Sequence, residues 1–156
     1  HYAVILMPAP WEFEWMEAFL SIRGDEQLVF SDYERNRGRK EYSWVGGCYY
    51  SSKMAVLEAL GREGKQAGVL ILREARKGYV PMGVFNVREN VRHAMLQPPV
   101  VCEDLKSSLD HVSKKFQLPL SRYVRESTLL AESCRGSQMR LSDFSERAPG
   151  NSPSLT

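Results

Sequence analysis

Basic residues capable of holding phosphate stand in three clusters. Arg35, Arg37, Arg39 and Lys40 lie within six residues, Arg73, Arg76 and Lys77 follow an apolar run, and Arg88 and Arg92 are one helical turn apart. Arginine predominates, and its planar guanidinium fork suits bidentate phosphate contacts. If the fold brings them together, these clusters form a surface for a nucleic-acid backbone. Glu34, Glu41, Glu74 and Glu89 are interleaved with them, so each cluster has an alternative as an ordinary salt bridge. Gly46-Gly47 stands ahead of a helical pattern, where free backbone amides would also meet a phosphate. The pair lacks the lysine of a phosphate-binding loop and the full GxGxxG spacing, which leaves a tight turn or close packing as the alternative. Cys48 beside it is either a thiolate favoured by the helix dipole or a small buried thiol. The carboxylates Asp32, Glu34, Glu41 and Glu74 show no spacing for two-metal hydrolysis, and no Ser-His-Asp order is present, so no catalytic residue is assigned and enzymatic activity stays open. Three cysteines (Cys48, Cys102, Cys134) and three histidines (His1, His93, His111) are widely scattered, which predicts reduced thiols, no metal site and no identifiable cofactor in this stretch.

The most specific spacing lies near the end of the chain. Gln138-Met139-Arg140-Leu141-Ser142-Asp143-Phe144 fits Q-x-x-[LIM]-x-x-[aromatic]. One 3₁₀ turn brings residues three apart onto one side, so Leu141 and Phe144 would form an apolar plug while Gln138 anchors the peptide by hydrogen bonding. The segment resembles the sliding-clamp-binding peptide, the PCNA-interacting motif. Strong versions end in two aromatic residues, whereas here Ser145 holds the second position. The missing ring is expected to weaken binding by on the order of 1–3 kcal/mol.

These residues need a body to position them. The 156 residues suit one core. A composition of 43% hydrophobic and 26% charged residues excludes disorder for most of it. The longest apolar run, Ala3 to Met7, is far short of a membrane span and has no basic flank. A cytoplasmic protein with no membrane partner is expected. The chain starts His1-Tyr2-Ala3-Val4 without an initiator Met, as expected of a piece of a longer protein. Its net charge of +2 hides an asymmetry. Residues 1–32 hold six acids (Glu12, Glu14, Glu17, Asp25, Glu26, Asp32) against Arg23, a charge of −5, which leaves +7 for the rest.

Val4–Met7 reads as a buried strand ended by Pro8-Ala9-Pro10, and Trp11–Trp15 alternates with period two as a half-buried strand, with Met16–Leu20 able to continue it as a helix. Its Trp11, Phe13 and Trp15 row is either one face of a core or a base-stacking stripe. Leu28–Phe30 is a further strand, followed by a polar loop from Asp32 to Lys40. Tyr50, Met54, Leu57 and Leu60 mark a helix face stopped by Gly61 and Gly64, and Gly68–Leu72 has the continuous apolar character of a central strand. Val80–Phe85 reads as a short strand, and Val87, Val91, Ala94 and Met95 as a helix ending ahead of Pro98-Pro99. Leu105, Leu109, Val112 and Phe116 form one amphipathic helix, and Leu120, Tyr123, Val124, Ser127 and Leu130 another after Pro119. The fold class predicted is α/β: a mixed sheet of about four to five strands with packed helices, then a C-terminal helical pair and a disordered tail. Residues 1–134 would form the body and 135–156 the tail that carries the clamp motif.

Several stretches, in order, carry a wider resemblance: Ile5–Trp15, Gly46–Tyr50, Leu72–Tyr79, Gly83–Arg92, Pro119–Arg122, and then Gln138, Leu141 and Phe144. Through them the chain resembles the C-terminal region of the archaeal Nre-type DNA repair proteins. That resemblance implies a role in DNA repair, recruitment to the sliding clamp through Gln138, Leu141 and Phe144, and a further N-terminal region. DNA is the second partner expected, through the arginine clusters. The alternative is a metal- or phosphate-dependent nuclease whose site combines Gly46, Gly47, Arg73, Glu74 and Arg88 with groups from the N-terminal region.

Overall fold

The computed structural model describes residues 1–22, 24–80 and 82–137. Its centre is the strand β4 (Gly68–Ala75), in which all eight residues are buried. A strand covered on both faces has no use for polar alternation, which explains the unbroken Val69-Leu70-Ile71-Leu72 run. β2 (Glu12–Leu20) runs parallel to β4 with Trp15 opposite Ile71. β1 (Tyr2–Met7) lies antiparallel on the other side of β4, and β3 (Gln27–Glu34) returns antiparallel to β2, giving the order β1-β4-β2-β3. Residues 16–20 therefore extend the strand rather than form a helix.

The parallel pair β2 and β4 requires a crossover, supplied by α1 (Gly47–Glu63). α2 (Gly83–Leu96) packs beside α1. Phe13, Trp15, Val69 and Ile71 meet Tyr49, Val56, Leu60, Val87 and Val91 of these helices in one core. On the opposite face Met16, Ala18, Leu70 and Leu72 pack against α3 (Leu105–Ser113), α4 (Leu120–Glu126) and α5 (Leu129–Gly136). The molecule is thus a helix–sheet–helix sandwich, a mixed α/β fold. The row of Phe13 and Trp15 is core, with both side chains fully buried.

Three local expectations are corrected. Residues 83–85 open α2 and add no strand, because Gly83 at φ 64 turns the chain into the helix. The buried face of α1 is Tyr49, Ser52, Val56 and Leu60, while Met54 and Leu57 are exposed; the helix also runs through Gly61 and stops at Gly64, whose left-handed conformation closes it. The expected C-terminal pair is three helices, because Ser127 leaves helical geometry between α4 and α5.

A buried carboxylate causes that last break. Glu14, on β2, accepts the Thr128 amide at 2.6 Å and the Leu130 amide at 2.8 Å, meeting the otherwise unpaired N–H groups at the start of α5. Ser31 donates a third hydrogen bond at 2.9 Å. Burial pushes the Glu14 carboxyl above its ordinary value, although these donors oppose the shift. Glu74, on β4, does the same ahead of α4, accepting the Gln117 and Leu118 amides at 2.9 and 2.8 Å and the Arg76 guanidinium at 2.6 Å. Replacing Glu74 by Ala leaves the buried Leu118 amide and the part-buried Gln117 amide without their acceptor and Arg76 without its partner. The variant is expected to lose about 3–5 kcal/mol of stability, measured as a lower urea midpoint at unchanged slope.

Candidate nucleic-acid interface

The segment between β3 and α1 is held at its base. Asp32 accepts the Arg39 guanidinium at 2.8 Å and the Ser43 hydroxyl at 2.6 Å. Arg39 also donates to the carbonyls of Tyr33 at 2.6 Å and Glu41 at 3.2 Å, and lies over the Tyr49 ring at 5.0 Å. Gly38, at φ 70, makes the reversal that allows this, its amide donating to the Arg35 carbonyl. The Ser43 amide donates to the Tyr50 hydroxyl at 2.9 Å, seating the far end of the loop on α1. Next to Asp32, Glu34 is buried and accepts from Trp11 at 3.0 Å, Tyr49 at 3.0 Å and Lys53 at 2.7 Å. Burial raises the Asp32 and Glu34 carboxyls, but these hydrogen bonds outweigh it and leave both below their ordinary values.

The ten candidate phosphate contacts fall into distinct situations. Arg39 is a strut of its own loop, and Arg35, half-exposed, reaches Glu132 of α5 at 2.7 Å and Glu12 at 3.9 Å. Arg37 and Lys40 are exposed and form no ion pair or hydrogen bond with described residues. Arg73 is buried, paired with Glu17 and ringed by Tyr79, Tyr2 and Phe19 at 4.8, 5.6 and 5.8 Å. Arg76 joins Glu74 to the Lys115 carbonyl at 2.6 Å. Arg92 forks onto Glu58 of α1 at 2.7 and 2.9 Å and onto Glu89 at 2.7 Å, while Arg88 reaches Glu89 at 3.3 Å and covers the Phe85 ring. Arg73, Arg76 and Arg92 thus tie separate elements together, whereas Arg88 meets residues of its own helix.

The clusters do not form one surface. Arg35 stands beside Glu12 at one end of β2, whereas Arg73 pairs in register with Glu17, roughly 17 Å along the strand. Gly46 and Gly47 serve geometry. Gly46 takes φ 80 at the entry to α1, and a Cβ on Gly47 would stand 2.5 Å from Val84, so the pair permits close approach of α1 and α2. Cys48 is partly buried with its thiol pushed up by burial, the reverse of an activated thiolate. Both Glu74 oxygens already have donors. Among the described residues no three His, Cys, Asp or Glu side chains gather as a metal site, and no helix is long and apolar enough to cross a membrane. Gln138, Leu141 and Phe144 lie outside the described residues.

Two residues at this loop escaped the sequence reading. Tyr42 is 71% and Trp44 65% exposed, on either side of a buried Ser43. The available signal was period-two alternation with the aromatic residues on the outside, which a search for a core passes over.

Comparison with known proteins places the chain. The family described as Archaeal Nre, C-terminal, matches residues 34–144. The chain belongs to the archaeal Nre family. DNA repair protein NreB of Archaeoglobus fulgidus is 36% identical over 148 residues, covering 92% of this chain and 37% of the relative. DNA repair protein NreA of Haloferax volcanii is 32% identical over 149 residues, covering 90% and 34%. NreA of Archaeoglobus fulgidus is 34% identical over 123 residues, covering 75% and 31%. This Nre chain therefore spans about a third of the length of the curated relatives it matches. No solved structure matches it.

The anchored loop gives a signed pH dependence. A carboxyl held below its ordinary value stabilises the fold above that ordinary value and stops doing so as pH falls through its folded-state value. Acidification below the ordinary carboxylate range should therefore release Arg39 from Asp32. Asp32→Asn should reproduce the release at neutral pH, seen as faster amide exchange over residues 37–45, while exchange in β4 stays unchanged.

Proposed function

We propose that this Nre chain is a DNA repair protein brought to the sliding clamp by Gln138, Leu141 and Phe144, and contacting the DNA backbone through the β3–α1 loop. The packed body runs to the end of α5 at Gly136, two residues past the expected boundary at 134, and the residues after it carry the clamp peptide. The observation that carries the reading is the coincidence, in a chain of this family, of a Q-x-x-L-x-x-F sequence with the end of the packed body. α5 finishes at Gly136, and the motif begins two residues later. The names of the relatives support the repair role. The DNA contact is supported by Arg37 and Lys40, two exposed cations on a loop held at both ends. Phosphate needs such unpaired cations, since every contact exchanges a hydrated counterion for a fixed charge. An archaeal repair protein of this kind works in the cytoplasm.

The clamp contact is tested by recovery of the sliding clamp on the immobilised full chain. Leu141→Ala/Phe144→Ala should abolish recovery, and a peptide covering residues 137–147 should compete with it; equal recovery by both proteins would remove the clamp from the reading. The DNA contact is tested by salt titration of duplex binding. Arg37→Ala/Lys40→Ala should lower the slope of log affinity against log salt by about one for each phosphate contact removed. An unchanged slope would assign the backbone contact to other residues.

A further inference from the structure

From the loop that carries the proposed DNA contact, we infer that this Nre chain prefers single-stranded DNA, with Tyr42 and Trp44 as base-stacking platforms and Arg37 and Lys40 holding the phosphates. The inference rests on the DNA-contacting reading above and adds the form of DNA recognised. It begins from two aromatic side chains that a packed domain leaves in water. Tyr42 and Trp44 are 71% and 65% exposed, among the most exposed large apolar residues described. Neither is loose. The Trp44 ring meets Phe30 edge to face at 5.7 Å, and Phe30 meets Phe19 in the same way at 6.0 Å, a row of rings ending on β2. Tyr42 lies on Tyr50 of α1 with centroids 4.7 Å apart. Ser43 between them is buried and tied to Asp32 and Tyr50. Two rings are thereby fixed before any ligand arrives, which removes the ordering cost that weakens contacts on mobile loops.

Charge identifies the occupant. Residues 35–45 hold four bases and one acid, Glu41, and the neighbouring carboxylates Asp32 and Glu34 are turned inward onto Arg39 and Lys53. Cations interleaved with exposed rings are the composition of a single-strand groove, in which phosphates follow the charges and bases lie on the rings. A duplex offers the same phosphates but hides its base faces in the stack, so it can use Arg37 and Lys40 but neither ring. Alternate residues of an extended segment stand at most about 7 Å apart, and neighbouring bases of one strand about 3.4 Å when stacked and further when extended, so Tyr42 and Trp44 can take adjacent bases.

The test uses the full chain and three labelled probes: a short oligothymidylate, a blunt duplex of the same length and the matching oligouridylate. The oligothymidylate should bind tighter than the duplex. Tyr42→Ala and Trp44→Ala should each weaken single-strand binding about 5- to 150-fold and leave duplex binding within about 2-fold. Trp44→Phe, which keeps a ring, should restore most of the loss, and an unchanged melting temperature separates a lost platform from a lost fold. Arg37→Ala/Lys40→Ala should weaken both DNA forms. Ring variants that affect both forms equally, or neither, would overturn the stacking role and leave the backbone contact standing. Tighter binding of the oligouridylate would overturn DNA as the occupant. Wild-type protein that binds no DNA would overturn the reading beneath the inference as well.

Discussion

A carboxylate carried into the interior on a strand must find donors there, since the cost of stripping its water is several kcal/mol. Four glutamates of this sheet are in that position, and the rest of the structure is arranged around them. Glu14 and Glu74 point to the α3–α5 side and take backbone amides at the entries to α5 and α4. Glu17 takes Arg73, and Glu34 takes Lys53, Tyr49 and Trp11 on the α1 side. Apolar contact alone would let a short helix slide or turn over the sheet, because it is non-directional. Two carboxylates that each accept two amides from one helix entry allow one placement of α4 and α5.

The same glutamates change the meaning of the charge asymmetry. The −5 of residues 1–32 is not an acidic surface facing a basic remainder. Glu14 and Glu17 are buried, Asp32 holds Arg39, and Glu12 approaches Arg35, so much of the acidic segment is neutralised by groups from the +7 remainder. The charge left in solvent on the β3–α1 loop is that of Arg37 and Lys40, with part of Arg35, against the single exposed acid Glu41. A count of arginines overstates this surface because folding ties Arg73, Arg76 and Arg92 to other elements, while Arg88 pairs with Glu89 on its own helix.

What the sequence made legible follows the range of the forces involved. β4 and β2 were readable as strands, since a strand covered on both faces and one alternating Phe13, Trp15 and their acidic neighbours advertise local periodicity, but the alternation announced a half-buried β2 and the structure buries Glu14 and Glu17 as well. The face of α1 was not, because Tyr50, Met54 and Leu57 share the helical spacing of the true core residues Tyr49, Ser52 and Val56, and only the position of the sheet decides between them. The break at Ser127 was hidden for a similar reason: the apolar period continues across it, and its cause is Glu14, more than a hundred residues away. Among the candidate contacts, the interleaved acids were legible as partners where they stand close in sequence, Glu74 for Arg76 and Glu89 for Arg88 and Arg92, and the remaining partners were not. Arg39 meets an acid seven residues away, whereas Arg73 meets one on another strand and Arg92 one on another helix.

The β3–α1 loop and the end of α5 share one corner of the molecule. Arg35, the first residue of the loop, is bonded at 2.7 Å to Glu132, and α5 has only one further turn before it ends at Gly136 and the chain passes to Gln138. The proposed DNA interface of two cations and two rings would be weak on its own, and salt-sensitive. In the proposed reading, a loop joined to a DNA-bound clamp would work at the effective concentration set by that link, which would multiply a weak contact without adding any new one. The proposed clamp motif, with Ser145 in place of a second ring, suits the same arrangement. On that reading neither contact need be tight, and a protein held by both would leave when either is lost.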